Sequence, residues 1–325
     1  MSETLLKFTG LNIHFSTRRG NLHAIRDVDL LLHTNETVAV VGESGAGKSV
    51  LAKSILRQHL PPFTPNRVKI EGDITYLSNG NSINLTTCNF STLRMARARL
   101  IATISQESLS GLNPVITIGA QITEAARAAD QNLTKHVAKQ RALSLIESVG
   151  IDNPQKRFRN YPHQLSGGQR QRVMIAIAAI RQPHLLIADE PTTALDVTIQ
   201  ARILALIKKL QRQTGMTIFF ITHDLGVVSQ IADRVAVMYG GRIVEVAKVS
   251  DILAMPRHPY TAGLLATIPG GGWNYPRLTG FAPDPFNIPS GCAFKPRCPR
   301  ALKKCDQVPQ TTHETERSIQ CWNPL

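Results

Sequence analysis

Residues 37–49 are Thr-Val-Ala-Val-Val-Gly-Glu-Ser-Gly-Ala-Gly-Lys-Ser, and this stretch decides the fold. Its first five residues are apolar or β-branched, which predicts a buried strand. Residues 42–49 then match the pattern G-x-x-x-x-G-K-[ST], and a helix over residues 48–60 is predicted to follow, ending before Pro61. A strand, a glycine-rich loop and a helix in this order predict a loop that encloses a phosphate group.

The residue types of this loop suit phosphate chemistry. Gly42, Gly45 and Gly47 let backbone N–H groups close around a β-phosphate. Lys48 reaches the β- and γ-phosphate oxygens, and Ser49 offers a hydroxyl to Mg²⁺. A flexible glycine turn is the alternative interpretation, and the position between a predicted strand and a predicted helix argues against it.

Short apolar runs recur along the chain and predict further buried strands. They lie at residues 100–105, 185–188 and 217–222. Between the last two, apolar residues at helical spacing from Ile199 to Leu210 predict a helix that Gly215 ends. Residues 235–245 predict a β-hairpin around a pair of glycines. Strands that alternate with helices predict an α/β fold with a parallel sheet.

Two regions depart from this alternation and indicate the domain organisation. Residues 120–159 are polar and helical in pattern with no strand candidate, which predicts an inserted helical subdomain at about residues 107–165. Towards the C-terminus Gly, Pro and Cys become dense and regular periodicity ends. We therefore predict a main domain over residues 1–262 and a small C-terminal extension over residues 263–325.

Residues 165–169, Leu-Ser-Gly-Gly-Gln, predict a second site for an anion. Ser166 and two glycines open an apolar helix, so backbone N–H groups gather at a positive helix end. One nucleotide carries one set of phosphates, and residues 42–49 already bind them. The ligand of the second site is therefore left open by the residues alone.

Polar residues follow three of the predicted strands. Asp189 and Glu190 end the apolar run that begins at residue 185, where Asp189 would hold Mg²⁺ and Glu190 could polarise an attacking water. Gln106 and His223 follow the other two strands. Taken singly, each of these two is more typical of an ordinary loop residue.

The order of these elements resembles that of the ATP-binding subunits of ABC transporters, over about residues 5–250. The ordered elements are residues 42–49, Gln106, residues 165–169, Asp189-Glu190, Asp196 and His223. The resemblance implies a P-loop (RecA-like) parallel sheet core, an antiparallel β subdomain and the inserted helical subdomain, beside the Cys-rich extension.

The resemblance also implies roles for the site residues. Residues 165–169 would be the signature loop, residues 193–196 the D-loop, Gln106 the Q-loop glutamine and His223 the switch histidine. Glu190, His223 and Gln106 would be catalytic, and Ser49, Gln106 and Asp189 would hold Mg²⁺. The residues expected to bind ATP, with the signature loop acting on a partner's nucleotide, are Phe15 (against adenine), Gly42, Ser44, Gly45, Gly47, Lys48, Ser49, Gln106, Asp189, Ser166, Gly167, Gly168, Gln169 and Asp196.

The family supplies a ligand for the second site. Two such domains pair head to tail, so that each ATP lies between one protomer's residues 42–49 and the other's signature loop. ATP would close the dimer and hydrolysis would release it. An isolated chain is then expected to bind ATP and to hydrolyse it poorly.

Three stretches resemble a narrower group, the D-type subunits of dipeptide/oligopeptide permeases, which includes nickel importers. They are residues 106–114, residues 257–269 and residues 289–299. The resemblance implies a second, related ATPase chain in a heterodimer, two transmembrane permease subunits and a periplasmic or extracellular solute-binding protein. Loop 106–114 and the helical insert would contact a short coupling helix of the membrane subunit. The alternative is that residues 106–114 form only a turn-rich connection. Peptide, nickel, haem and antimicrobial peptide all remain open as the solute.

Composition bounds the alternatives. Lys and Arg exceed Asp and Glu by 14, which suits anionic partners, including nucleic acid. An ABC-type ATPase acting on nucleic acid is therefore one rival, although no aromatic-interleaved basic patch supports it; a non-hydrolysing regulatory protein is another. Neither a signal peptide nor a membrane span is expected from the pattern, which predicts a cytosolic protein. The permease resemblance implies that it lies peripherally on the cytoplasmic face of the inner membrane.

Four of the five cysteines, Cys292, Cys298, Cys305 and Cys321, lie close together near the C-terminus, whereas Cys88 stands apart. A short loop-rich segment with four thiols suggests metal ligation, and the spacing lacks the paired C-x₂-C of zinc ribbons. The permease resemblance favours a [4Fe–4S] cluster, with zinc and unligated thiols as alternatives. The basic residues among these cysteines, including Arg297, are interpreted as a solvated face, with an anionic lipid or salt sensor as the alternative.

Overall fold

The fold is described from a computed structural model over residues 3–58, 67–78, 80–105, 111–193, 195–268 and 275–325. The strands are β1 (Thr4–Thr17), β2 (Gly20–His33), β3 (Thr37–Val41), β4 (Val68–Ser78), β5 (Asn81–Asn84), β6 (Ile101–Ile104), β7 (Leu185–Asp189), β8 (Thr217–Thr222), β9 (Arg234–Tyr239), β10 (Arg242–Lys248), β11 (Thr312–Glu314) and β12 (Arg317–Ile319). The helices are α1 (Lys48–Ile55), α2 (Phe90–Met95), α3 (Ile118–Ala129), α4 (Lys135–Ser148), α5 (Pro154–Arg157), α6 (Gly167–Ala179), α7 (Val197–Thr214), α8 (Leu225–Ile231), α9 (Val249–Ala254) and α10 (Pro259–Leu265).

The chain forms two compact units. The first consists of Met1–Cys88 with Phe220–Leu325, and the second of Asn89–Phe219, so β8 begins in the second unit and ends in the first. This division follows contacts between residues and does not test the predicted boundary between residues 262 and 263, which stays a prediction.

The first unit contains two sets of strands. Strands β2, β1, β4 and β5 are neighbours in that order and pair antiparallel. Strands β11, β12, β10, β9 and β3 follow one another in a second sheet, in which only the β9–β3 pair of these five is parallel. The predicted hairpin is the β9–β10 pair, with Gly240 and Gly241 in its turn.

The C-terminal residues continue the core of the first unit. Strand β12 pairs with β10, joining Ile319 to Glu245. Phe294 is 2% exposed and packs in one cluster with Tyr239 and Tyr260, whose ring centroids lie 5.3 Å and 5.4 Å from its own. The cysteine-containing segment is therefore held to the hairpin by backbone pairing and by aromatic packing.

The second unit is mostly helical around one parallel pair. Strand β6 pairs with β7 in parallel register, from Ile101 opposite Leu185 onward. Helices α3, α4 and α5 occupy the region predicted to be helical without a strand. Helix α7 ends at Gly215, which adopts a left-handed backbone with φ of 70°, as predicted.

One predicted element end is wrong. Helix α1 ends at Ile55, although the pattern predicted a helix to residue 60. Arg57 takes a left-handed backbone with φ of 50°, and the N–H of Gln58 donates to the carbonyl of Lys53. This hydrogen bond ends the helix before any proline is reached.

Within the described ranges, no helix is long and apolar enough to cross a membrane.

Candidate functional site

The loop of residues 42–49, the P-loop, connects the fully buried strand β3 to helix α1 in the first unit. Lys48 is 6% exposed, and its Nζ donates to the carbonyls of Gly42 (2.8 Å) and Glu43 (3.1 Å). Gly47 has φ of 105°, and a Cβ there would lie 2.8 Å from the carbonyl oxygen of Ala24. Only glycine fits such a position without displacing the backbone beside it.

Three neighbouring elements of the same unit hold the P-loop. The carbonyl of Ala46 accepts from the N–H of Gly241 in the hairpin turn (3.0 Å). The N–H of Glu43 donates to the Tyr260 hydroxyl (2.9 Å), and the Glu43 carboxylate accepts from both terminal nitrogens of Arg297 (2.6 and 3.0 Å). The loop is thus fixed by the β9–β10 turn, by α10 and by the C-terminal segment together.

Two more predicted site residues belong to the first unit: Phe15, which precedes the P-loop in the sequence, and His223, which follows it. Phe15 lies half-buried on β1, opposite Leu22 of β2 and Val68 of β4. Beside it His14 and His23 stack with centroids 3.8 Å apart, and burial together with His14 lowers the pKa of His23 to about 4. His223 is exposed directly after β8, before Asp224, which caps α8 through the N–H of Gly226 (2.7 Å).

In the second unit, Asp189 is the last residue of β7 and Glu190 follows it. Glu190 has φ of 47°, a left-handed backbone that is unusual for a residue with a side chain. Its carboxylate accepts from the Thr193 hydroxyl (2.9 Å), and its carbonyl accepts from the N–H of the same residue (3.2 Å). Such strained backbone positions cluster at functional sites. The hydrogen bond from Thr193 holds the Glu190 carboxylate.

Residues 165–169 form the N-terminus of helix α6, as predicted. Ser166 is the N-cap: its hydroxyl accepts from the N–H of Gln169, whose side chain accepts from the N–H of Ser166. Leu165 is buried, Ser166 is exposed, and a Cβ on Gly168 would lie 3.2 Å from the Ile199 side chain. The first N–H groups of a thirteen-residue helix are thereby presented beside an exposed serine.

Two predicted elements are only partly described. Gln106, and with it most of loop 106–114, lies outside the described residues. In the D-loop, Asp196 caps helix α7 by accepting from the N–H of Ile199 (2.9 Å), and the N–H of Leu195 donates to the carbonyl of Thr192 (3.3 Å). The structure therefore assigns Asp196 a helix-capping contact that the sequence pattern alone did not predict.

The four C-terminal cysteines line one small cavity, together with His258, Phe294 and Trp322. Burial raises the pKa of the thiols of Cys292, Cys298 and Cys321, the last to about 11. His258 is 1% exposed; its Nδ1 accepts from the N–H of Tyr260, and within the described ranges its Nε2 has no hydrogen-bond partner. Across the described residues, no three His, Cys, Asp or Glu side chains converge to hold a metal ion.

The prediction of a solvated basic face in this segment is wrong for Arg297. Its side chain is 7% exposed and lies 5.8 Å from the Tyr239 ring centroid. Its hydrogen bond to Glu43 raises the pKa of Arg297 above its ordinary value. Glu43 and Arg297 are 254 residues apart, so no local sequence signal could have linked them.

The family model "ABC transporter" matches residues 25–193, which contain the P-loop, the signature loop and Asp189-Glu190. The chain belongs to the ABC transporter family. A second model, "Oligopeptide/dipeptide transporter, C-terminal region", matches residues 244–305 of this ABC chain, including His258, Arg297 and three of the cysteines.

Full-length relatives place the ABC chain among the dipeptide and oligopeptide transport ATP-binding proteins. It is 43% identical to the dipeptide transport ATP-binding protein DppD of Bacillus subtilis, over 98% of this chain and 95% of the relative. It is 44% identical to the oligopeptide transport ATP-binding protein AppD of the same organism, over 98% and 96%. The predicted family and the predicted ATPase class are thereby confirmed.

A solved structure confirms the predicted class of fold. The dimeric structure of the ATP-binding cassette MJ0796, in a post-hydrolysis state bound to ADP and Pi, superposes with a TM-score of 0.65 at 26% identity. The match covers 75% of this ABC chain and 99% of that cassette. The cassette fold is therefore shown, while the C-terminal extension stays a prediction as a separate domain.

Proposed function

We propose that this chain hydrolyses ATP to energise the import of peptides through a membrane complex. The observation that carries the proposal is similarity over nearly the whole chain to proteins named for dipeptide and oligopeptide transport. A second family model, named for the C-terminal region of oligopeptide/dipeptide transporters, matches residues 244–305. The nucleic-acid alternative gains no support from these relatives.

The proposed reaction gives each predicted site residue a role. Lys48 and the N–H groups at the start of α1 would bind the β- and γ-phosphates, and Phe15 would stack on adenine. Ser49 and Asp189, with Gln106, would hold Mg²⁺, which neutralises charge on the phosphates. Glu190 would accept a proton from the attacking water, with His223 near the γ-phosphate. The constrained backbone of Glu190 and its bond from Thr193 support a fixed carboxylate.

The test is reconstitution of the chain with its two membrane subunits, the second ATPase and a binding protein in vesicles. Peptide uptake that requires ATP, and ATP hydrolysis that peptide stimulates, are expected. Glu190→Gln should keep ATP binding, lower turnover by at least about 100-fold and leave the dimer closed. Turnover that survives this change would remove Glu190 from its role, and stimulation by DNA instead of peptide would favour the rival function.

We further propose that the signature loop acts on ATP bound to a second, different ATPase chain. The support for this proposal is an exposed serine, Ser166, at a helix N-terminus, whose reciprocal cap with Gln169 lies within the loop itself. With Mg-ATP, the Glu190→Gln chain alone should stay monomeric in light scattering and should form a dimer when the second ATPase is added. A stable homodimer of the variant alone would contradict the heterodimer.

We propose that the complex lies on the cytoplasmic face of the inner membrane.

We also propose that Cys292, Cys298, Cys305 and Cys321 hold an iron–sulfur cluster. Four thiols and the unpartnered Nε2 of His258 around one cavity support the cluster. A cluster offers each thiolate its own iron, so the thiols need not converge on one ion, as zinc would require. Bound, the cluster would join four parts of a segment with little core of its own.

Anaerobic purification tests this cluster. Iron and sulfide near four of each per chain, with visible absorption, are expected in the wild type. Cys305→Ser should lose them, and Cys88→Ser is the matched control that should keep them. Zinc in place of iron, or four thiols that react with a thiol reagent in the native protein, would contradict the proposal.

A further inference from the structure

We propose that Arg297 is a positioning residue for ATP binding, acting on the P-loop through Glu43. The residue lies in the C-terminal segment, outside residues 25–193 that match the general cassette model. The inference rests on the proposed ATP-binding role of residues 42–49. It adds to that role a residue from the far end of the chain.

Glu43 is held at two points, one in its backbone and one in its side chain. Its N–H donates to the Tyr260 hydroxyl (2.9 Å), and its carboxylate receives two hydrogen bonds from the Arg297 guanidinium (2.6 and 3.0 Å). A two-pronged pairing of this kind fixes direction as well as distance. Glu43 is therefore held in one orientation, against Tyr260 and Arg297.

Arg297 is itself fixed in place. Its Nε donates to the carbonyl of Thr279 (2.8 Å), and one terminal nitrogen also donates to the Tyr239 hydroxyl (3.2 Å). The guanidinium carbon lies 5.8 Å and 6.0 Å from the ring centroids of Tyr239 and Phe294. Only 7% of the Arg297 side chain is exposed, so the guanidinium is held in place by its partners and is not a mobile surface charge.

The contact continues from Glu43 to the phosphate-binding lysine. The carbonyl of Glu43 accepts from Nζ of Lys48 (3.1 Å), as does the carbonyl of Gly42 (2.8 Å). A shift of the Glu43 backbone therefore moves an acceptor of Lys48, together with the loop backbone that is proposed to bind the phosphates. Arg297, Glu43 and Lys48 form one chain of contacts from the C-terminal segment to the P-loop lysine.

Two simpler explanations make different predictions. If Arg297 acts only as a positive charge near the phosphates, removing it weakens ATP binding, and neutralising Glu43 strengthens it. If the pair serves only to attach the C-terminal segment, either change lowers stability and leaves ATP binding alone. Positioning predicts that either change weakens ATP binding, because each frees the same loop.

The experiment measures Mg-ATP affinity of the full chain, KM and kcat of the assembled complex, and urea unfolding, for Arg297→Met, Arg297→Lys, Glu43→Gln and the double variant. Arg297→Met and Glu43→Gln should each raise Kd and KM about tenfold with kcat within about twofold. The double variant should be no worse than either single one, and Arg297→Lys should recover part of the loss. Arg300→Met is the matched control: it removes the same charge three residues away, where the guanidinium contacts Asn323 and Pro324, and KM should not change.

Opposite effects of the two single variants, or a loss of stability with unchanged Kd, would overturn the inference. Arg300→Met raising KM equally would also overturn it, since the effect would then be one of net charge. Lys48→Ala separates this outcome from failure of the proposed function. If Lys48→Ala binds ATP like the wild type, the P-loop role is wrong; if it does not and the Arg297 variants do, only the positioning role is wrong.

Discussion

The P-loop and the signature loop are held in different ways. The P-loop is fixed by residues distant in sequence, namely Gly241, Tyr260 and Arg297, and its lysine is buried. The signature loop is capped by its own Ser166 and Gln169, and Arg170 donates to the carbonyl of Leu165 (2.7 Å). Because residues of its own unit hold the P-loop in place, we expect it to bind ATP without a partner chain. A loop supported locally, with an exposed serine, is suited to meet a ligand brought by another chain.

The largest expected effect is on the P-loop side. Lys48→Ala removes the only basic side chain among residues 42–49, so ATP affinity of the isolated chain should fall by about 100-fold or more. Titration with a fluorescent ATP analogue measures it. An affinity within a few-fold of the wild type would mean that the two loops do not differ in the way described.

A second change tests the signature loop without unfolding its helix. Ser166→Asp keeps an N-cap acceptor of equal quality but places a negative charge where a partner's phosphate would come. ATP binding by the isolated chain should stay unchanged, and turnover of the assembled complex should fall by at least about tenfold. Thr134→Asp changes the N-cap of α4 in the same unit and is the control that should not affect turnover. Equal loss of binding by the isolated chain would contradict action on a partner's nucleotide.

Acid should affect the two loops unequally. The pKa of His23 is lowered from 6.5 to about 4, chiefly by burial. Between these two pH values the imidazole is neutral in the folded protein and protonated in the unfolded chain. Stability from this residue is full above pH 6.5 and is lost as the pH falls towards 4. After allowance for its partial exposure, the loss should be about 1 kcal/mol. Urea unfolding at pH 7 and 4.5 should show this loss in the wild type and not in His23→Gln.

His136→Gln, which replaces a histidine of the second unit, is the matched control and should follow the wild type. His23 lies on β2 next to Ala24, whose carbonyl faces Gly47, so the acid effect should reach the P-loop before the signature loop. Hydrogen exchange of both loops at the two pH values compares them directly. Greater acid loosening of the signature loop would reverse the comparison.

The smallest effect concerns the cap itself. Ser166→Ala removes the acceptor for the N–H of Gln169 and should cost about 1 kcal/mol of unfolding free energy, whereas Ser166→Asp should stay close to the wild type. Chemical denaturation of the three proteins measures both. A cost from the aspartate equal to that from the alanine would show that the hydroxyl does not act as the cap.

Sequence reasoning reached what local patterns encode. Residues 37–49 predicted β3, the P-loop and the start of α1, and residues 165–169 predicted the N-terminus of α6. It could not reach contacts between distant residues, such as Glu43 with Arg297, nor the backbone of Glu190, since neither has a local signal. The end of α1 was misplaced because a left-handed residue, and not the proline, stops the helix.

The 254 residues between Glu43 and Arg297 also order events during synthesis. At roughly 5–20 residues per second, Arg297 leaves the ribosome tens of seconds after the P-loop sequence. Until then the loop lacks the partners that hold it, since Gly241 and Tyr260 are also made late. The nascent chain therefore carries the P-loop sequence long before the contacts that hold the loop can form, and a chain released early lacks the contact with Arg297.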